Sequence, residues 1–169
     1  MTVDRVPFST WAPEPASGAK VYLQPGQWIA TAAPSTITTI LGSCVAVCLW
    51  DRNLRIGGMN HYMLPFDTGR ATGSARFGDV AISQLVEKLM ALGSRPAALE
   101  AALVGGACVM EAFRRDGDHI GARNAELAER ILPMHGIRVT RRELGGNCGR
   151  KLIFETENGG IRVIPVGAA

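Results

Sequence analysis

Leu41-Gly42-Ser43-Cys44-Val45-Ala46-Val47-Cys48-Leu49-Trp50-Asp51, followed closely by Gly57-Gly58-Met59-Asn60-His61-Tyr62-Met63-Leu64-Pro65, decides how the chain is read. Two apolar runs around a short polar break signal a β-hairpin. With Arg52 and Asn53 as the two central residues of its turn, Cys44 stands directly opposite His61. Such partners share a face with their Cβ atoms about 4.5–5.5 Å apart. A one-residue slip would put them on opposite faces, and Gly57-Gly58 is where a bulge would cause one.

The pairing matters because a thiol with a pKa near about 8.5 is weakly ionised at neutral pH, and an adjacent imidazole takes its proton. On this reading Cys44 is a nucleophile and His61 its base, together a thiolate–imidazolium pair. Gly42 allows a tight turn before the cysteine, and main-chain N–H groups at Gly42 and Ser43 could stabilise an oxyanion. The plain alternative stays open on spacing alone: a cysteine in an apolar strand is usually a small buried hydrophobe.

The strings LGSCVAVCLWD and GGMNHYMLP, with GGA, IGARN and GGN-x-GRK further on, resemble the CheD family of chemoreceptor glutamine deamidases from about residue 21 to residue 166. The resemblance implies a Cys–His–Thr arrangement on Cys44, His61 and Thr38, with Thr38 orienting the histidine and Gly42 and Ser43 at the oxyanion or substrate-binding turn. Thr is favoured in any strand, so only the resemblance gives Thr38 a role. It also implies hydrolysis of receptor glutamine amides through a cysteine thioester, without cofactor or metal. The implied partners are the cytoplasmic helical domain of methyl-accepting chemoreceptors and a CheC-type phosphatase.

Three other functions are compatible with the same residues. The chain could act as a regulatory binding module for such a phosphatase, or hydrolyse glutamate methyl esters with the same cysteine. Cys44 and Cys48 as a redox pair fit poorly, because positions i and i+4 on a strand lie about 13 Å apart, beyond disulfide reach.

Composition sets the frame. The 169 residues are 47% hydrophobic and 20% charged with a net charge of +3, enough for one domain with its own core. The basic residues are scattered among acids, which argues against nucleic acid. Residues 1–18, rich in Pro, Ser and Ala, read as a flexible tail, and 19–169 as a single deamidase-like domain. Prolines and hydroxyls interrupt the N-terminus, and no apolar run approaches the roughly 20 residues of a membrane span, so a cytoplasmic location is expected. Cys44, Cys48, Cys108 and Cys148 show no framework spacing and are expected as free thiols.

Outward from the hairpin, short strands are expected at 20–23, 28–31 and 35–40, and a loop at 69–78. A helix capped by Asp79 should run to about Leu92, with Ile82, Leu85, Val86 and Leu89 on its core side. A strand at 99–104 leads into Gly105-Gly106-Ala107, a turn of shape rather than phosphate chemistry. The segment around Arg114–His119 reads as a solvated loop. A second helix is expected from Ala122 to about Met134, a strand at 137–144, and a last hairpin of 151–155 with 161–166 around Asn158-Gly159. Together these give an α/β layered sandwich, with mainly antiparallel or mixed sheets packed against two long helices.

Overall fold

The computed structural model describes residues 14–69, 73–115 and 117–167. The first thirteen residues of the expected tail, and parts of the loops expected at 69–78 and 114–119, lie outside the described residues. The elements in order are β1 (Ala19–Tyr22), β2 (Trp28–Thr31), β3 (Ser35–Leu41), β4 (Val45–Asp51), β5 (Ile56–Asn60), α1 (Gly78–Ala91), β6 (Leu99–Gly105), α2 (Ile120–Met134), β7 (Arg138–Leu144), β8 (Gly149–Glu155) and β9 (Gly160–Val166).

The strands form two sheets, ordered β2-β5-β4-β6-β7 and β1-β3-β8-β9. Among the described strands only β6–β7 and β1–β3 pair in parallel, so both sheets are mixed, as the sequence led us to expect. Two core clusters give the layer order. Val45, Val47, Leu49, Leu103 and Tyr62 face α1 and α2 through Ile82, Leu85, Leu89, Leu127 and Leu132. On the opposite face of the five-stranded sheet, Ala46, Cys48, Met59 and Val104 meet Ile37, Leu41, Leu152 and Phe154 of the other sheet. Burying each large aliphatic side chain contributes about 1.5–3 kcal/mol, and β4, apolar in both phases, belongs to both cores at once.

Hairpin register departs from expectation. Asp51 pairs with Ile56 and Cys48 with Met59, so residues 52–55 form a four-residue loop rather than a two-residue turn. Arg55 closes it at φ 53°, a left-handed conformation uncommon outside glycine and therefore not signalled by composition. Gly57 and Gly58 hold no bulge. A Cβ on Gly58 would lie 2.5 Å from Ile29 O and 2.7 Å from Leu85 Cδ1, and one on Gly57 3.1 Å from Phe154 Cζ. Both glycines are needed because β5 is pressed closely from its two faces.

Helix ends differ slightly from the sequence reading. Phe77 precedes α1 without a side-chain cap, while the Asp79 carboxylate accepts from Val80 N at 2.9 Å and Asp67 N at 3.2 Å. His119 caps α2 by accepting from Ala122 N at 3.2 Å through Nδ1, and Pro133 lies inside the helix near its end.

Candidate functional site

Cys44 sits one residue before β4, where the hairpin continues as the bridge between Val45 and Tyr62. Their backbones exchange Val45 N–H to Tyr62 O at 3.2 Å and Tyr62 N–H to Val45 O at 3.0 Å. This register is two residues from the expected one. Because strand side chains alternate with period two, the shift keeps Cys44 and His61 on the same face, now as diagonal neighbours rather than opposite partners. General sheet geometry separates diagonal pairs by about 7–8 Å, with Cβ atoms somewhat closer.

That face is the inter-sheet one, so His61 is buried against β3. Its backbone is taken over by the loop before β2, with His61 N–H donating to Gln27 O at 3.0 Å and Gly26 N–H to His61 O at 2.7 Å. Its Nδ1 lies 2.7 Å from Thr39 Oγ1. Thr39 is fully buried, on the inward phase of β3 with Ile37 and Leu41. Thr38, the residue implied by the resemblance, pairs with Tyr22 and Ile153 and is on the opposite phase, facing away from the imidazole. The structure brings Cys44 and His61 to one face and puts Thr39, not Thr38, against the ring.

The network also assigns the tautomer. Thr39 Oγ1 donates to Leu23 O at 2.8 Å, and a hydroxyl has one proton to give. It therefore accepts from Nδ1–H, which leaves Nε2 as the unprotonated nitrogen. Among the described residues Nε2 is buried without a hydrogen-bond partner. Burial depresses the imidazole pKa to about 4 and raises that of the Cys44 thiol. Both shifts favour the neutral thiol and neutral imidazole at rest.

The turn bearing Cys44 is anchored by its carbonyls. Gly42 O accepts from Ala107 N at 2.9 Å and Cys44 O from Gly106 N at 2.8 Å, while Ser43 O accepts from Asn124 Nδ2 at 3.1 Å. The Gly105-Gly106 turn allows this approach: Gly105, at φ +117°, has its would-be Cβ 2.2 Å from Cys44 O. Among the described residues, the N–H groups of Ser43 and Cys44 reach no acceptor in another residue.

Beside Ser43 opens a cleft of about 380 Å³, walled by Val109, Met110 and Phe113, with the Asp118–Arg123 ion pair at its rim. Cys108 lines the same cleft. Cys48 is buried between the sheets, where desolvation drives its pKa far up, and Cys108 donates to Met110 O at 3.4 Å. All four are free thiols. Among the described residues no three His, Cys, Asp or Glu side chains converge as a metal site, and no helix is long and apolar enough to cross a membrane.

The family model described as CheD chemotactic sensory transduction matches residues 63–164. The chain belongs to the CheD family. It is 50% identical over 141 residues to the probable chemoreceptor glutamine deamidase CheD 1 of Anaeromyxobacter dehalogenans, covering 83% of this chain and 81% of that one. It is 37% identical over 143 residues to the chemoreceptor glutamine deamidase CheD of Thermotoga maritima, covering 84% and 89%. The crystal structure of the hypothetical protein YfiH of Bacillus licheniformis overlaps 79% of this chain and 63% of its own at 14% identity and a TM-score of 0.43, too low to argue from. The CheD model's match begins two residues after His61, so the geometry of Cys44 and His61 rests on the structure itself.

Sequence reasoning misses two buried polar residues here. Thr39 is overlooked beside an equally plausible Thr38, and Asn124 is read only as part of a motif.

Proposed function

We propose that this CheD-family chain is a chemoreceptor glutamine deamidase, with Cys44 as nucleophile, His61 as proton carrier and Thr39 as the residue that orients it. The observation carrying the reading is His61 itself: a buried, neutral imidazole with Nδ1 engaged by Thr39 and Nε2 unoccupied, on the same sheet face as a half-buried cysteine.

The chemistry follows from the neutral resting pair. As Sγ attacks the glutamine Cδ, the thiol proton passes to Nε2, and the carbonyl oxygen becomes an oxyanion facing the N–H groups of Ser43 and Cys44, which reach no acceptor in another residue among those described. Gly42 gives that turn its room. Collapse breaks the C–N bond, His61 returns its proton to the leaving nitrogen, and ammonia departs. Water attacks the thioester while giving a proton to His61; the thiol is regenerated and glutamate is left. A glutamate methyl ester would enter the same thioester with methanol as the leaving group.

The substrate glutamine projects from a helix of the receptor's cytoplasmic bundle, which places the enzyme in the cytoplasm. The open cleft with its apolar wall of Val109, Met110 and Phe113 beside Ser43 suits a helical substrate flanking that glutamine. A CheC-type phosphatase would compete for this surface.

The test is mass spectrometry of receptor cytoplasmic fragments incubated with wild type, Cys44→Ala and Cys48→Ala. Wild type and Cys48→Ala should convert specific glutamines to glutamate, and Cys44→Ala none. Conversion by Cys44→Ala would overturn the nucleophile. Failure of wild type on every receptor would favour a binding module.

A further inference from the structure

We infer that Asn124 is a positioning residue for the reaction, setting the separation between Cys44 and His61 by binding both of the segments that carry them. The inference rests on the proposed function and adds a residue to it.

Asn124 lies on α2, fully buried, at a point where one side chain reaches both segments. Its Nδ2 donates to Ser43 O at 3.1 Å and to Met63 O at 2.8 Å. The first carbonyl is one residue before the nucleophile, and the second two residues after the base. The Tyr62 hydroxyl, one residue from His61, donates to the backbone carbonyl of Asn124. Three hydrogen bonds thus converge on one helical residue from the two segments of the site.

Helix α2 is itself fixed against the turn that holds Cys44. A Cβ on Gly121 would lie 2.5 Å from Gly106 O and 2.7 Å from Ala107 O, so helix and turn meet backbone to backbone. Gly106 N–H in turn holds Cys44 O. The chain of contacts runs from Asn124 through Ser43 and Met63 to the reacting groups, and from Gly121 through Gly106 to Cys44.

The amide is also costly in a way that packing alone does not explain. Its Oδ1 is buried without a hydrogen-bond partner among the described residues, which forfeits the hydration of that oxygen. An apolar residue would fill a helix–sheet contact without that loss. What the amide supplies is a pair of N–H donors in a fixed fork, aimed at two carbonyls on separate segments.

A residue acting through geometry should change turnover rather than substrate affinity, because a displacement near 1 Å at reacting groups can cost about 100-fold in rate. The experiment measures kcat and KM on a receptor cytoplasmic fragment, together with the rate of Cys44 alkylation by iodoacetamide at neutral pH, read on the Cys44 peptide. The variants are Asn124→Ala, Asn124→Asp and Leu132→Ala. Leu132 is a buried core residue of the same helix and controls for lost stability.

Asn124→Ala should lower kcat about 10- to 100-fold with KM within twofold, and change the Cys44 alkylation rate by at least threefold. Leu132→Ala, assayed well below its own melting temperature, should do neither. Should Asn124→Ala fail to fold, the same-shaped Asn124→Asp, which as the acid donates at most one of the two bonds, should still lower kcat at least fivefold. Wild-type kcat and alkylation in a folded Asn124 variant would overturn the positioning role. Equal effects from Leu132→Ala would overturn it too. Cys44→Ser run alongside separates the two proposals: full deamidation by that variant sinks the reading on which this inference rests, whereas an inactive Cys44→Ser beside an unaffected Asn124→Ala sinks only the inference.

Discussion

The two ends of the β4–β5 hairpin are built by opposite rules. At the loop end, Asp51 is buried and satisfied: its carboxylate accepts from Asn53 N at 2.9 Å, Leu54 N at 3.1 Å and Ser94 Oγ at 2.5 Å. Burial works to raise its pKa, but the Ser94 hydroxyl and the two N–H groups outweigh it and hold the carboxyl below its ordinary value. At the other end, three buried polar atoms lack hydrogen-bond partners among the described residues, namely Asn60 Nδ2, His61 Nε2 and Asn124 Oδ1. Buried polar groups are ordinarily paired, and each exception asks for an explanation. One end of the hairpin holds the fold, and the other gives up stability to keep an imidazole nitrogen unengaged.

The contrast breaks first at His61. His61→Ala should leave the fold in place and lower kcat by about 10²–10⁴-fold, the usual contribution of a positioned acid–base group. Asp51→Ala should leave kcat within twofold. Steady-state kinetics on a receptor fragment check both, and a His61→Ala enzyme within tenfold of wild type would remove the base from the mechanism.

The next effect is a pH dependence of stability. The folded imidazole resists protonation down to about 4, whereas the unfolded chain takes the proton near about 6.5. Between these values the unfolded state binds more protons, so stability falls as pH drops through the window and levels off below it. The loss should reach about 3 kcal/mol relative to His61→Gln, which has no such titration. Urea unfolding of the two proteins at several pH values between 7 and 4 measures it, and parallel curves would mean that His61 is not buried as a neutral group.

At the loop end, Asp51→Ala strands the N–H groups of Asn53 and Leu54 and the Ser94 hydroxyl, and should cost about 2 kcal/mol. Chemical denaturation at pH 7 is the readout. A cost under half a kcal/mol would undo the contrast between the two ends.

Much of this was legible in the sequence, for physical reasons that also mark where legibility stops. The unbroken apolar run of β4 marks a strand covered on both faces, and the stripe of Ile82, Leu85, Val86 and Leu89 marks α1. Loop length was not legible, because the residue that closes the four-residue loop, Arg55, adopts a positive φ without being glycine. The resulting slip spans two residues, so Cys44 and His61 stay on one face, as diagonal neighbours rather than the directly opposite partners expected. Asn124 does carry a signal in the sequence. It precedes Leu127 and Ala128 by three and four positions, which puts a polar residue inside the buried stripe of α2.

Thr38 and Thr39 give the smallest and sharpest prediction. In Ser35-Thr36-Ile37-Thr38-Thr39-Ile40-Leu41 the isoleucines fall on opposite phases, so hydropathy does not say which threonine points inward. The partner strand does: Leu152, buried at 0%, lies opposite Thr39, and the half-buried Ile153 opposite Thr38. Thr39→Val keeps the shape but removes the oxygen that accepts from Nδ1–H and the donor to Leu23 O. The ring is then free to take the other tautomer, with Nε2 protonated and unable to receive the thiol proton. We expect kcat to fall about tenfold, equivalent to about 1.4 kcal/mol in the barrier, with little change in KM, while Thr38→Val stays within twofold of wild type. The reverse ranking would mean that the imidazole turns toward β3's outer phase when substrate binds, and that the resting network around Thr39 serves the fold rather than the reaction.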